Sequence, residues 1–432
     1  MLPIFLTLAL VGLILAGLML GPAAGLASII GGLSLFGDPL GSRVPMMISR
    51  FSIDRIDNFL LLAIPFFILA GRLMNTGGVT LRLFDFIAAL VQPLRGGLGH
   101  ANVLASFVFA GMSGSATADV VGLGAIEMKA MRSNGYPEGF SAGVTAASSL
   151  LGPNIPPSIV LIAYAVQAEQ SVATLFLATI VPGILLALCF MAWVAYRASR
   201  LRLPTGDWPA LGEIGRKAAH ALLPILTPGI ILAGIYGGVF TPTEAAAIAV
   251  LYAFCLTKFV YRELTWRALL EQLKGTALDT ATLMFIIAMT SAFGVIMLRL
   301  GLPQALVGLI AGISENPTVV LFLLMIVWLL VGCFMAQTPA IIILTPILMP
   351  IADRVGLDMI HFGVVMALTL TVGLLTPPVG MVLYALKKVA IVPIGTLFKV
   401  SVPYVIIAIG LISTLILIPE LVTALPHAFG LY

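Results

Sequence analysis

The chain has 432 residues, of which 60% are apolar or aromatic, with 22 basic and 18 acidic side chains. Charged residues make up 9% against about 25% in soluble domains, which excludes a soluble enzyme, a disordered chain and a disulfide scaffold. The apolar runs are continuous and lack the ten-residue alternation of a membrane β-barrel, so the chain reads as an all-α polytopic membrane protein with room for roughly 10–14 helical segments.

Residues 2–37 carry no charge and no basic flank, and predict a retained first span over 2–20 rather than a cleaved signal peptide. A second span is expected over 59–74. Residues 81–94 mix Arg82, Asp85 and Gln92 with Leu, Phe and Ile, and either lie at the interface or cross as a tilted span. Residues 139–168, 316–352, 359–386 and 400–419 contain no Asp, Glu, Lys or Arg, and each is long enough to cross. Further spans are expected over 172–196, 219–236, 244–257 and 276–298. The cluster Arg197, Arg200, Arg202, Arg216 and Lys217, and the cluster Lys258, Arg262, Arg267 and Lys274, mark cytoplasmic loops. The turn between them falls near Gly237-Gly238. The net charge of +4 is ordinary for such loops and gives no reason to expect a nucleic-acid partner. Cys189, Cys255 and Cys333 read as packing residues. The histidines at 100, 220, 361 and 427 have no metal spacing.

The two halves repeat at an offset of 221 residues. Aligning 111–157 with 332–378 makes 11 of 47 positions identical, against about 4 expected by chance in so apolar a composition. The identities include Gly111/Gly332, Thr117/Thr338, Gly152/Gly373, Pro156/Pro377 and Pro157/Pro378. An odd number of crossings between the copies inverts the second relative to the first.

In each copy a polar segment precedes a broken helix. Gly111-Met112-Ser113-Gly114-Ser115-Ala116-Thr117-Ala118-Asp119 is too polar and Gly-rich to face lipid. It is expected to form a re-entrant hairpin with its tip at 113–117, exposing carbonyls and hydroxyls that suit a hard cation. The second tip is expected at Ala336-Gln337-Thr338-Pro339. Pro156 and Pro157 break the next helix and free carbonyls one turn earlier, with Asn154 adding an amide oxygen; Pro377 and Pro378 repeat the break beside Thr376. Asp119, an acid in an apolar segment, must face protein or water, as a functional group or as a structural hydrogen-bond acceptor. Glu127 and Lys129 are expected to mark the return of that arm to the surface. Glu244, after Thr241-Pro242-Thr243, reads chiefly as a helix cap.

The segments GMSGSATADVVGLG, GPNIPPS, GGVFTPTEAA (237–246) and GCFMAQTPAIIILTPILMP (332–350), in this order, resemble the large membrane subunit of tripartite ATP-independent periplasmic (TRAP) transporters. The resemblance covers nearly the whole chain. It implies a bacterial inner-membrane protein that takes up an organic acid, such as a C4-dicarboxylate, sialic acid or a sugar acid, driven by Na+ as coupling ion and without an organic cofactor. It implies two partners, a small four-helix membrane subunit and a periplasmic substrate-binding protein. It also implies an elevator architecture. The transport domain would comprise 99–170 and 318–390. The scaffold would comprise 1–98 and 171–300, with an arm at 301–317 and a terminal span in 391–432. By position, Ser113, Ser115, Gly152 and Asn154 would hold one Na+. Gly332, Thr338, Gly373 and Thr376 would hold another. Thr117, Thr338, Asp119 and Gln337 would meet the substrate.

Three rival readings carry less. A one-component Na+–carboxylate symporter uses similar hairpins, and partner dependence separates it. Gly111-Met112-Ser113-Gly114 matches the short pattern of intramembrane serine proteases, but the repeat sets Phe334 opposite Ser113. A passive scaffold leaves two symmetric polar breaks without purpose.

Overall fold

The computed structural model describes residues 2–36, 43–311 and 314–431, and among them every regular element is helical. The span expected over 2–20 is instead two helices, α1 (Leu2–Leu15) and α2 (Leu20–Phe36), separated by a turn at Gly17 with φ of +95°. A left-handed turn inside an uninterrupted apolar run suits glycine alone, and composition gives no sign of where it falls. The pair packs closely, with Leu6 beside Gly31. Next, α3 (Arg43–Ile56) is amphipathic and buries Val44, Met47 and Ser52.

The helix α4 (Ala63–Thr76) completes the expected second span, with Asn58 accepting the Leu60 N–H at the entry. The segment over 81–94 is α5 (Val79–Val91). Thirteen residues rise roughly 20 Å, short of the ~30 Å hydrocarbon core, so α5 is an arm packed on its neighbours and not a span.

The first repeat follows. A hairpin descends as α6 (Gly97–Ser113) and returns as α7 (Ala116–Val121) and α8 (Leu123–Ser133). The broken helix is α9 (Glu138–Ser148) and α10 (Ile159–Ala168). Four long helices come next: α11 (Val172–Arg200), α12 (Leu211–Tyr236), α13 (Pro242–Cys255) and α14 (Trp266–Arg299). Thr241 and Glu244 form the capping box anticipated at the start of α13. The arm at 301–317 contains α15 (Leu302–Ala311), and residues 312–313 lie outside the described ones. The second repeat is the hairpin α16 (Pro317–Phe334) and α17 (Gln337–Arg354), then the broken helix α18 (Met359–Gly373) and α19 (Met381–Leu386). The chain closes with α20 (Ile394–Leu417) and α21 (Glu420–Ala428). Among the described residues, seven helical segments are long and apolar enough to cross a membrane.

Side-chain ties fix which ends lie together. The start of α6 meets the basic end of α11, where Gly206 N–H donates to Gln92 O at 3.0 Å and Leu98 N–H to Tyr136 Oη at 3.4 Å. The opposite end joins the starts of α11 and α18 to the close of the chain. There Thr174 Oγ1 donates to Leu431 O at 3.2 Å, and Tyr164 Oη to Met359 O at 2.6 Å. The first hairpin therefore opens at the basic end and the second at the opposite end, which is the expected inversion. The bias of basic residues makes the first of these ends cytoplasmic.

The two repeats are fastened to each other at three levels. At the basic end Arg132 donates to both oxygens of Glu138, at 3.0 and 2.6 Å, and to Val389 O of the second repeat at 3.4 Å. Midway, Asn154 of the first break donates to Thr371 of α18 at 3.0 Å. At the far end the Tyr164 ring occupies the space beside Gly363, where a Cβ would stand 2.2 Å from it.

Candidate functional site

The first tip is shorter than the segment 113–117. Only Gly114 and Ser115 leave the helix. Gly114 takes φ of +59°, a left-handed conformation that ends α6 and favours glycine. Ser115 is extended and caps α7, accepting the Ala118 N–H at 3.5 Å, and its hydroxyl lies 3.1 Å from that of Thr117. The Ser113 hydroxyl is buried and has no partner. An unpaired hydroxyl in such a place costs about 1–3 kcal/mol, and a bound cation would relieve it.

The first break folds against this tip. Gly152 lies so close that an added Cβ would stand 3.3 Å from the Ser115 backbone, and Gly114 similarly approaches Pro157 O at 3.5 Å. Residues 152–158 run without α-helix, and Ser158 caps α10 by accepting the Leu161 N–H at 3.2 Å. The Pro156-Pro157 bond is cis, as is Pro377-Pro378 in the second break. Gly152 is thus brought against Ser115, with Ser113 two residues before Ser115 and Asn154 two residues after Gly152. Their donor set of hydroxyls, an amide oxygen and free carbonyls fits a hard monovalent cation.

The second tip begins earlier than Ala336-Gln337-Thr338-Pro339. Met335 and Ala336 are the non-helical pair, while Gln337, Thr338 and Pro339 form the first turn of α17, where proline needs no N–H partner. Here the backbones themselves touch: a Cβ on Gly373 would stand 2.5 Å from Gly332 Cα, and one on Gly332 2.7 Å from Leu370 O. Thr376 Oγ1 donates to Gly373 O at 2.8 Å and lies 2.8 Å from Cys333 Sγ. This cluster offers carbonyls and one hydroxyl and contains no carboxylate. Thr338 stands on the tip next to it.

Between the tips is a cavity of about 950 Å3. Ser113, Ser115, Thr117, Gln337 and Thr338 line it, so three of the four residues expected to meet substrate, Thr117, Gln337 and Thr338, do face one space. Asp119 does not. It is 2% exposed behind the tip, where Ser106 Oγ donates to its Oδ2 at 2.9 Å while Oδ1 has no partner. Glu127 also departs from expectation: it is fully buried with both oxygens unpartnered, not at the surface, because α8 turns this face toward α6 and α9.

The remaining wall comes from α4 and α14 and from the segment after α19, and no motif in the sequence singles these residues out. Arg72 donates to Asp279 Oδ2 at 2.5 and 3.2 Å, and Gly275 leaves the guanidinium its space. Lys388 also lines the cavity and has no ion-pair partner among the described residues. Its one mark in the sequence is its place beside Lys387, just after the charge-free run 359–386. No group of three or more His, Cys, Asp or Glu able to hold a metal ion occurs among the described residues.

Comparison with known proteins agrees with this geometry. Residues 5–421 match the family described as Tripartite ATP-independent periplasmic transporter, DctM component. The chain is 41% identical to the sialic acid TRAP transporter large permease protein SiaM of Vibrio cholerae, covering 87% of this chain and 88% of that one. It is 40% identical to the C4-dicarboxylate TRAP transporter large permease protein DctM of Pseudomonas aeruginosa, over 87% and 88%. In fold it matches the crystal structure of the Alcanivorax borkumensis YdaH transporter with a TM-score of 0.65, at 16% identity and covering 90% of each chain. Inverted hairpins, paired breaks and near full-length relatedness converge: this chain belongs to the DctM component family of TRAP transporters, multi-pass permeases of the bacterial inner membrane and not enzymes.

Proposed function

We propose that the chain carries an organic acid into the cell together with Na+, as the large subunit of a three-component transporter. The observation that carries this reading is the cavity between the two tips. Its lining includes three ionisable side chains, of which Arg72 and Asp279 neutralise each other, leaving Lys388 as the uncompensated charge. A net positive wall facing two oxygen-rich tips suits an anion accompanied by cations. Sialic acid and C4-dicarboxylates, the substrates in the names of the two relatives, are such anions.

The conformation supports an elevator cycle. Arg72 and Thr76 lie at the end of α4 whose neighbour Gly77 touches Thr257, at the basic end of α13. Gln272 lies in the first turns of α14. The cavity therefore lies toward the cytoplasmic end, which supports reading the state as inward-facing. The three-level fastening of the repeats lets them slide as one body past α4 and α14. One charge crossing 100 mV is worth about 2.3 kcal/mol, so two Na+ with a monoanion would draw on the membrane potential as well as the ion gradient. A small four-helix membrane subunit would hold the scaffold helices, and a periplasmic binding protein would deliver the substrate.

The test is uptake into proteoliposomes holding this chain with its small subunit and binding protein. Labelled sialic acid or a C4-dicarboxylate should accumulate under an inward Na+ gradient and not under K+, and Lys388→Ala should lower uptake several-fold. Accumulation independent of Na+ would contradict the coupling, and uptake without the binding protein would contradict the three-component reading.

A further inference from the structure

Thr371 sits in the last turn of α18 and is fully buried, far in sequence from both tips. Its hydroxyl donates to Ala367 O at 2.7 Å and accepts from two carboxamides, Asn154 Nδ2 at 3.0 Å and Gln337 Nε2. The second N–H of each amide is also engaged. Asn154 donates to Leu150 O at 2.7 Å, and Gln337 to Ala367 O at 2.8 Å. A flipped amide would set its oxygen against a backbone carbonyl oxygen, so these contacts fix both orientations.

The consequence concerns the amide oxygens. Asn154 Oδ1 lies 3.3 Å from Thr371 Oγ1, whose single proton is engaged by the nearer Ala367 O. Gln337 Oε1 meets no donor among the described residues, and Gln337 lines the cavity. Gln337 Oε1, at the second tip, is left without a donor, and Asn154 Oδ1, in the first break, has only the Thr371 hydroxyl, whose proton it shares with Ala367 O. Weakly satisfied carbonyl-type oxygens suit a hard cation.

We infer that Thr371 is a positioning residue shared by both cation sites: one hydroxyl orients the Asn154 carboxamide in the first break and the Gln337 carboxamide at the second tip, so filling one site favours filling the other. The inference rests on the Na+ reading above. Its physical basis is that neither amide can shift toward an ion without changing the other's bond to the same hydroxyl, and coupling of this kind is reciprocal. The sequence is nearly silent on it, because Thr371 stands in an apolar run with its partners 217 and 34 residues away.

The experiment is thermal unfolding of the purified chain as a function of Na+, with K+ holding ionic strength constant. The wild type should show a Na+-specific rise that is steeper than a single ion gives. Thr371→Val keeps the shape and removes the hydroxyl. It should raise the half-effective Na+ concentration about fivefold, the scale of one lost hydrogen bond, and reduce the steepness to that of one ion. Thr371→Ser should restore both. A Thr371→Val response with wild-type midpoint and steepness overturns the inference. Absence of any Na+-specific rise in the wild type overturns the Na+ reading itself, and the inference with it. Should Thr371→Val fail to fold, Gln337→Leu asks the same question from the tip: loss of steepness supports the coupling, and unchanged steepness overturns it.

Discussion

At the first hairpin Ser113, Ser115, Asp119 and Glu127 occupy the positions that Phe334, Ala336, Ala340 and Leu348 occupy at the second. The backbones follow the same course, each with a non-helical pair at the tip, a glycine pressed against the following break and a cis Pro-Pro bond. The side chains do not. The first arm has an unpaired hydroxyl and two buried carboxyl groups, while Ala340 and Leu348 sit in ordinary apolar packing. The burial of the breaks differs too: Pro156 and Pro157 are buried, whereas Pro377 and Pro378 are exposed. The repeat thus preserves the geometry that frees carbonyls and lets donor chemistry diverge. The first tip can draw on two serine hydroxyls where the second has Phe334 and Ala336, so the second depends more on backbone.

Substitutions test this contrast. The largest effect is expected at the backbone crossing. Gly373→Ala places a Cβ 2.5 Å from Gly332 Cα, where nothing flexible can yield, and should destabilise by about 3 kcal/mol. Gly152→Ala meets its neighbours at 3.3 Å and should cost about 1 kcal/mol or less. Equal losses in a thermal unfolding series would remove the claim that the second tip is the tighter crossing. Glu127→Leu makes the first arm chemically like the second. Removing a carboxyl with two unpartnered oxygens should stabilise by about 1–3 kcal/mol, read as a higher unfolding midpoint. A lower midpoint would mean that Glu127 has a native partner, such as a bound cation.

Ser113→Ala separates stability from ion binding. It should leave the unfolding midpoint in K+ unchanged or slightly higher, and remove about half of the Na+ increment, which for a ligand at 100 times its dissociation constant is about 2.7 kcal/mol per ion. The smallest effect is expected from Thr241→Ala in the capping box of α13, outside both tips: about 1 kcal/mol of stability with the Na+ increment intact. A change in that increment would show that the Na+ response does not report the tips.

Much of this site was legible because it is written in residues that shape backbone. Gly111, Gly152, Pro156 and their counterparts Gly332, Gly373 and Pro377 mark breaks in an apolar run, and the offset of 221 residues pairs them. Thr241 and Glu244 were legible because a capping box is complete within four residues. Other features were not. The reversal at Gly17 sits in a run where every residue is equally apolar. Glu127 resembles any surface acid next to a lysine, and only the packing of α8 on α6 and α9 buries it. The Asn154–Thr371–Gln337 bridge and the Arg72–Asp279 pair join residues far apart in sequence, so no local spacing encodes them.

The central claim is that the two tips bind Na+. Equilibrium binding of radiolabelled Na+ to the purified chain tests it without knowledge of substrate or partners. Saturable binding is expected that K+ does not compete away and that falls by about half in Ser113→Ala. Binding that fails to saturate, or that Ser113→Ala leaves unchanged, would contradict it.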